Sequence, residues 1–186
     1  MLNTLKPSAP VWGICSNMKK HFYPEPNEGL PDLPKGISSH VGGHLGSGKK
    51  IGIVAARFNI TLTGALVETA VETLLAHDVV ASDIQVAWVP GSYELPLMLK
   101  RFSKQFEFDA LIACGVVLEG KTRHAELIMR SLTQSFTTLS VELDCPVIDA
   151  VVSSHTMEQA EARCLTGSES RGAYAALAAL ECASVL

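Results

Sequence analysis

From Lys49 onward the apolar residues fall into two patterns, short continuous runs and longer stretches at helical spacing. The segments 51–56, 84–89, 110–117 and 147–152 are runs of the first kind. Their β-branched and nearly charge-free composition is that of parallel strands covered on both faces. Between them, Leu62, Leu66, Ala70 and Leu74 predict a helix over 61–77, and Leu127, Ile128, Leu132, Phe136 and Leu139 form the stripe of a longer one. A helix over 94–105 follows the Pro90-Gly91 break. Two more, Met157–Cys164 and an alanine-rich one over 171–185, finish the chain. Strand and helix alternate four times, and parallel neighbours need crossover connections. The expected fold is therefore α/β: a three-layer αβα sandwich around a four-stranded parallel sheet, flavodoxin-like in topology.

Residues 1–48 interrupt this regularity. They hold six of the nine prolines and seven of the fourteen glycines, with scattered apolar residues such as Trp12, Ile14, Phe22 and Tyr23. This composition predicts an irregular N-terminal extension (1–48) ahead of a single domain (49–186), its apolar residues docked on the same chain or on a neighbour. Within it, Gly43-His44-Leu45-Gly46-Ser47-Gly48-Lys49-Lys50 nearly matches a phosphate loop. Lys50 stands where the magnesium-binding hydroxyl belongs, and the segment precedes a strand where a phosphate loop must follow one, so that reading is rejected. His40 and His44 lie in the same Gly-rich stretch and not on a helix, which argues against a metal pair.

Composition narrows the function classes. A chain of 186 residues with 47% hydrophobic and 18% charged residues can bury a full core. A net charge of -4 gives no basic field for nucleic acid or an anionic membrane, and neither partner is expected. Five cysteines, Cys15, Cys114, Cys145, Cys164 and Cys182, lack C-x-x-C pairing and read as reduced thiols of a cytoplasmic protein. No apolar run reaches the roughly 18 residues of a membrane span.

Candidate chemistry lies beyond the carboxyl ends of the strands, where ligands bind in open parallel sheets. Four loops qualify: Arg57-Phe58-Asn59, Pro90 through Glu94, Leu118 through His124, and Ser153-Ser154-His155. The third turns from strand through glycine into a helix, so it offers unpartnered N–H groups and a positive dipole end suited to phosphate. His124 stands in that first helical turn. By spacing alone it reads as a half-buried histidine, three and four residues before Leu127 and Ile128. The absence of a glycine fingerprint after the first strand argues against a dinucleotide site.

Four blocks in order carry a family resemblance: Ala56-Arg57-Phe58-Asn59, Val89 through Pro96, Gly115 through His124, and Thr156 through Arg163. Together they resemble 6,7-dimethyl-8-ribityllumazine synthases over about residues 49–186. The resemblance implies condensation of 5-amino-6-ribitylaminouracil with 3,4-dihydroxy-2-butanone 4-phosphate, without metal or organic cofactor. It implies that Phe58 stacks on the pyrimidine, that Ser92 and Glu94 bind the ribityl hydroxyls, and that backbone groups near Val117 and Leu118 read the ring edge. Gly120, Lys121 and Thr122 are expected to hold the phosphate, Arg163 to clamp it from a neighbouring subunit, and His124 to shuttle protons. Tyr93, Asp149 and Arg171 fall at further substrate-binding positions.

The chain departs from the family pattern at Asp149, where an aromatic is usual, and at Arg171, where lysine is frequent. Tyr174 replaces a common glutamate, and Glu119 a basic or amide residue. The intact His124 and Arg163 favour the enzyme, whereas Asp149 and Glu119 favour a non-catalytic relative that binds a flavin-like ligand or serves as a scaffold. The resemblance also implies a homo-oligomer built from pentamers, with icosahedral assembly as one higher form.

Overall fold

The computed structural model describes residues 23–185. Trp12, Ile14, Cys15 and Phe22 lie outside the described residues. The elements follow as β1 (Ile51–Ala56), α1 (Ile60–Ala76), β2 (Ile84–Val89), α2 (Leu95–Gln105), β3 (Ala110–Leu118), α3 (His124–Leu143), β4 (Val147–Ser154), α4 (Met157–Cys164) and α5 (Arg171–Cys182). All strand pairs are parallel and the sheet order is β2-β1-β3-β4. The α/β fold expected from the pattern is thus the one observed.

Side chains alternate across a strand, and the core divides accordingly. On β3, Ala110, Ile112, Cys114 and Val116 join a cluster with Leu66, Leu74 and Ala175, Ala176 and Ala179 of α5. Leu111, Ala113 and Val117 point the other way, onto Leu99 and Phe102 of α2 and Leu132 and Phe136 of α3. Each face of the sheet therefore has its own apolar layer, which is why the central strands read as uninterrupted apolar runs. Small residues let α5 lie close: a Cβ at Gly172 would overlap the Leu66 carbonyl oxygen.

The boundaries differ from expectation where side chains intervene. The last helix, expected over 171–185, stops at Cys182. Ser184 Oγ donates back to Leu180 O (2.8 Å) and accepts from Gly43 N (2.8 Å), while Lys49 Nζ donates to Ala183 O (2.6 Å). The segment 41–49 therefore closes the carbonyl end of α5. That bond also commits the lysine of the phosphate-loop look-alike to protein groups. Gly46 N donates to His77 O at 2.7 Å, and no helix follows. Tyr23 Oη donates to Glu181 Oε2 at 2.7 Å, so at least this aromatic of the extension docks on its own chain.

Two expectations for the third helix, a buried Leu127 and a half-buried His124, are also corrected. Leu127 and His124 are exposed, whereas Ala125, Leu132, Phe136 and Leu139 are buried. Leu127 lies roughly 100° around the helix from Ile128, on the far side from the sheet.

Candidate active site

Three loops converge on one cleft of about 400 Å³ over the carboxyl ends of β1 and β3. The first brings Phe58 and Asn59, the second Gly91 through Glu94, and the third Gly120, Thr122 and His124, with Val116 through Leu118 forming the floor. Phe58 N donates to Pro90 O at 3.0 Å, continuing the β1–β2 pairing past the strand ends. Its ring is nonetheless 70% exposed, a flat apolar face available for stacking. Asn59 adopts φ 58°, which asparagine tolerates better than most residues, and its Nδ2 donates to Val116 O at 3.0 Å. That bond anchors the Phe58 loop to β3.

Ser92 is 7% exposed and faces Gly115, where a Cβ would stand 2.5 Å from Ser92 Oγ. Tyr93 and Glu94 stay exposed at the lip. The short turn Ser92–Glu94 that holds them begins at Gly91, whose carbonyl accepts from Glu94 N at 3.3 Å. His124 is the first residue of α3 and shares the cleft wall with Ala125 and Ile128. It is exposed although the next residue, Ala125, is buried, because successive side chains of a helix point about 100° apart. The N–H groups of the first turn of α3 have no partner within the helix.

Of the predicted site residues, the chain brings Phe58, Ser92, Tyr93, Glu94, Val117, Leu118, Gly120, Thr122 and His124 together around the cleft. Lys121 is exposed on the same loop without lining it. Asp149, Arg163 and Arg171 do not line it either, and the loop 153–155 makes no contribution. The reason is topological: β4 is an edge strand beyond β3, so its loop opens on the far side of the α3 terminus. Arg163 is exposed near the end of α4, and Arg171 Nη2 donates to the Asp149 backbone carbonyl at 3.1 Å.

Asp149 cannot act as an aromatic lid in its own subunit's cleft. Its carboxylate is half-buried and accepts from Val151 N at 2.8 Å. Burial pushes its pKa above the ordinary range, against the Val151 hydrogen bond and the Arg171 charge. Asn59, Val116, Ala125 and Ile128 are cleft residues that sequence reasoning did not single out. Asn59 did carry signals, since it lies in the Arg57-Phe58-Asn59 loop and is a cap-type residue directly before a helix.

Among the described residues no group of three or more His, Cys, Asp or Glu side chains could hold a metal ion. No helix among them is long and apolar enough to cross a membrane.

An open parallel sheet with an aromatic, hydroxyl, carboxylate and helix-terminal cleft beyond its strand ends defines an α/β protein built to hold a small polar ligand. The family model of 6,7-dimethyl-8-ribityllumazine synthase matches residues 48–186. The chain belongs to that family, one of transferases in riboflavin biosynthesis.

Proposed function

We propose that this protein condenses 5-amino-6-ribitylaminouracil with 3,4-dihydroxy-2-butanone 4-phosphate to give 6,7-dimethyl-8-ribityllumazine. The observation that carries this reading is the convergence of Phe58, Ser92, Glu94, Gly120, Thr122 and His124 on one cleft. A pyrimidine stacks on the exposed Phe58 ring, with its ribityl chain directed to Ser92 and Glu94. The phosphate sits against Gly120 and Thr122, where the α3 terminus favours an anion. Lys121, on the same loop, supplies a positive charge.

The aromatic amine adds to the ketone and expels water as the imine forms. Phosphate then leaves by elimination, the resulting enol becomes a ketone, and the ribitylamino nitrogen adds to that carbonyl and expels a second water as the ring closes. Each step moves a proton, and His124, at the cleft wall between the two substrate regions, is the group that takes and returns it. General acid-base help contributes roughly 10²–10⁴-fold, so holding two substrates in register supplies much of the remaining acceleration.

Arg163 and Arg171 lie outside their own subunit's cleft, in keeping with a pentamer in which a neighbour's α4 region completes each phosphate site. A cytoplasmic location fits the four free cysteines among the described residues. The test is direct: purified protein is mixed with both substrates and lumazine fluorescence is followed. A rate no faster than the spontaneous condensation rejects the reading.

A further inference from the structure

Glu119 leaves β3 directly before the Gly120-Lys121-Thr122 loop, an unfavourable place for a carboxylate if that loop receives a phosphate. Its side chain, however, does not line the His124 cleft. It lines an open groove of about 730 Å³ on the other side of the α3 terminus, together with Ser153, Glu126 and Arg130. There Glu119 Oε2 stands 2.6 Å from His155 Nδ1. Glu126 is occupied separately, accepting from Arg123 Nε at 3.1 Å with Arg130 Nη2 3.9 Å away.

The backbone reinforces this contact. Glu119 N donates to Ser154 O at 2.9 Å, extending the β3–β4 pairing to the edge of the loop. His155 N donates to Gln159 Oε1 at 3.0 Å, and Gln159 N donates to Thr156 Oγ1 at 3.3 Å. His155 is thereby held at the start of α4, the helix that carries Arg163. Both Glu119 and His155 are exposed, and an exposed pair contributes little to stability. Its consequence is the placement of charge.

We propose that His155 is a positioning residue for phosphate binding: it draws the Glu119 carboxylate out of the anion-binding loop and ties that loop to the β4–α4 connection. The inference rests on the catalytic reading above for the identity of the anion, and on the geometry alone for the role of the pair. Without His155, the Glu119 carboxylate is released beside the loop and repels the phosphate. Removing the carboxylate as well restores the site.

The experiment compares wild type, His155→Ala, Glu119→Gln and the double variant. It measures KM for each substrate, kcat, the melting temperature and the Kd for inorganic phosphate by calorimetry. His155→Ala raises KM for the butanone phosphate and Kd for phosphate about three- to tenfold, the scale of one partly screened charge contact. It leaves kcat, the pyrimidine KM and the melting temperature in place, and Glu119→Gln in the same chain reverses the loss. Unchanged phosphate affinity in His155→Ala, or no rescue by Glu119→Gln, overturns the proposal. Wild-type protein that binds no phosphate overturns it too. If wild type binds phosphate yet forms no lumazine, the catalytic reading falls by itself and the phosphate Kd values still decide the role of His155.

Discussion

Gly115 on β3 leaves the space into which the Ser92 hydroxyl projects: a methyl group there would stand 2.5 Å from Ser92 Oγ and 3.4 Å from its Cβ. The floor of the cleft and its second loop are therefore packed against each other, and a change in one displaces the other.

Gly115→Ala tests this contact. The added methyl forces Ser92 aside, and overpacking of this kind costs about 1–3 kcal/mol. The expected protein folds with a lowered melting temperature and a raised KM for the ribitylaminouracil, because Ser92 is the displaced group. A variant with wild-type KM for that substrate rejects the assignment of Ser92 to its binding.

His124 and Arg163 give a test of the shared site. His124→Ala should lower kcat by about one to three decades with an unchanged melting temperature, since the side chain is exposed. Arg163→Ala should mainly raise KM for the phosphorylated substrate. When the two variants are unfolded together and reassembled, some interfaces pair an intact His124 with a neighbour's intact Arg163. Recovered activity in the mixture is expected. Activity no higher than the mean of the two separate variants places both residues in one subunit's site.

Gly172 sits where α5 crosses α1, and a Cβ added there would run into the Leu66 carbonyl oxygen and come within 2.5 Å of Thr69 Oγ1. Backbone cannot yield as a side-chain tip can. Gly172→Ala should destabilise the chain by roughly 2 kcal/mol or more, read as a fall in denaturant midpoint. A midpoint within error of wild type would show that the two helices can part without cost.

The Asp149 carboxyl titrates above its usual 3.8 because it is half-buried. A raised folded value means that the folded chain holds this proton more tightly than the unfolded one. The stability contributed by this group is present below about pH 4 and lost as the pH climbs through the raised value. Asp149→Asn keeps an oxygen for the Val151 N–H and removes the charge. Its melting temperature should exceed that of wild type at pH 7, with the difference shrinking toward pH 4. A lower melting temperature at pH 7 would show that the Arg171 attraction outweighs burial.

The layered fold was legible in the chain's apolar pattern, because period and composition are local properties of the chain. The runs containing Ile53, Ile112 and Val151 are short and mostly β-branched or small, as covered strands are, and the stripe of Leu62, Leu66, Ala70 and Leu74 has the spacing of a helix lying on them. The sequence also marked most of the cleft, since strand-end loops meet wherever a parallel sheet is formed. Tertiary structure alone decided which loops share that cleft. The strand order leaves β4 outside β3, so Ser153 faces a separate groove, and His155, from a loop equal to the others in sequence, becomes a partner for Glu119 instead. Burial was decided at the same level. Helical spacing placed Leu127 and a half-buried His124 beside the core, yet both are exposed, and His124 lines the cleft wall while Ala125 next to it is buried. Spacing records the direction in which a side chain points, and only the packed structure supplies what stands in that direction.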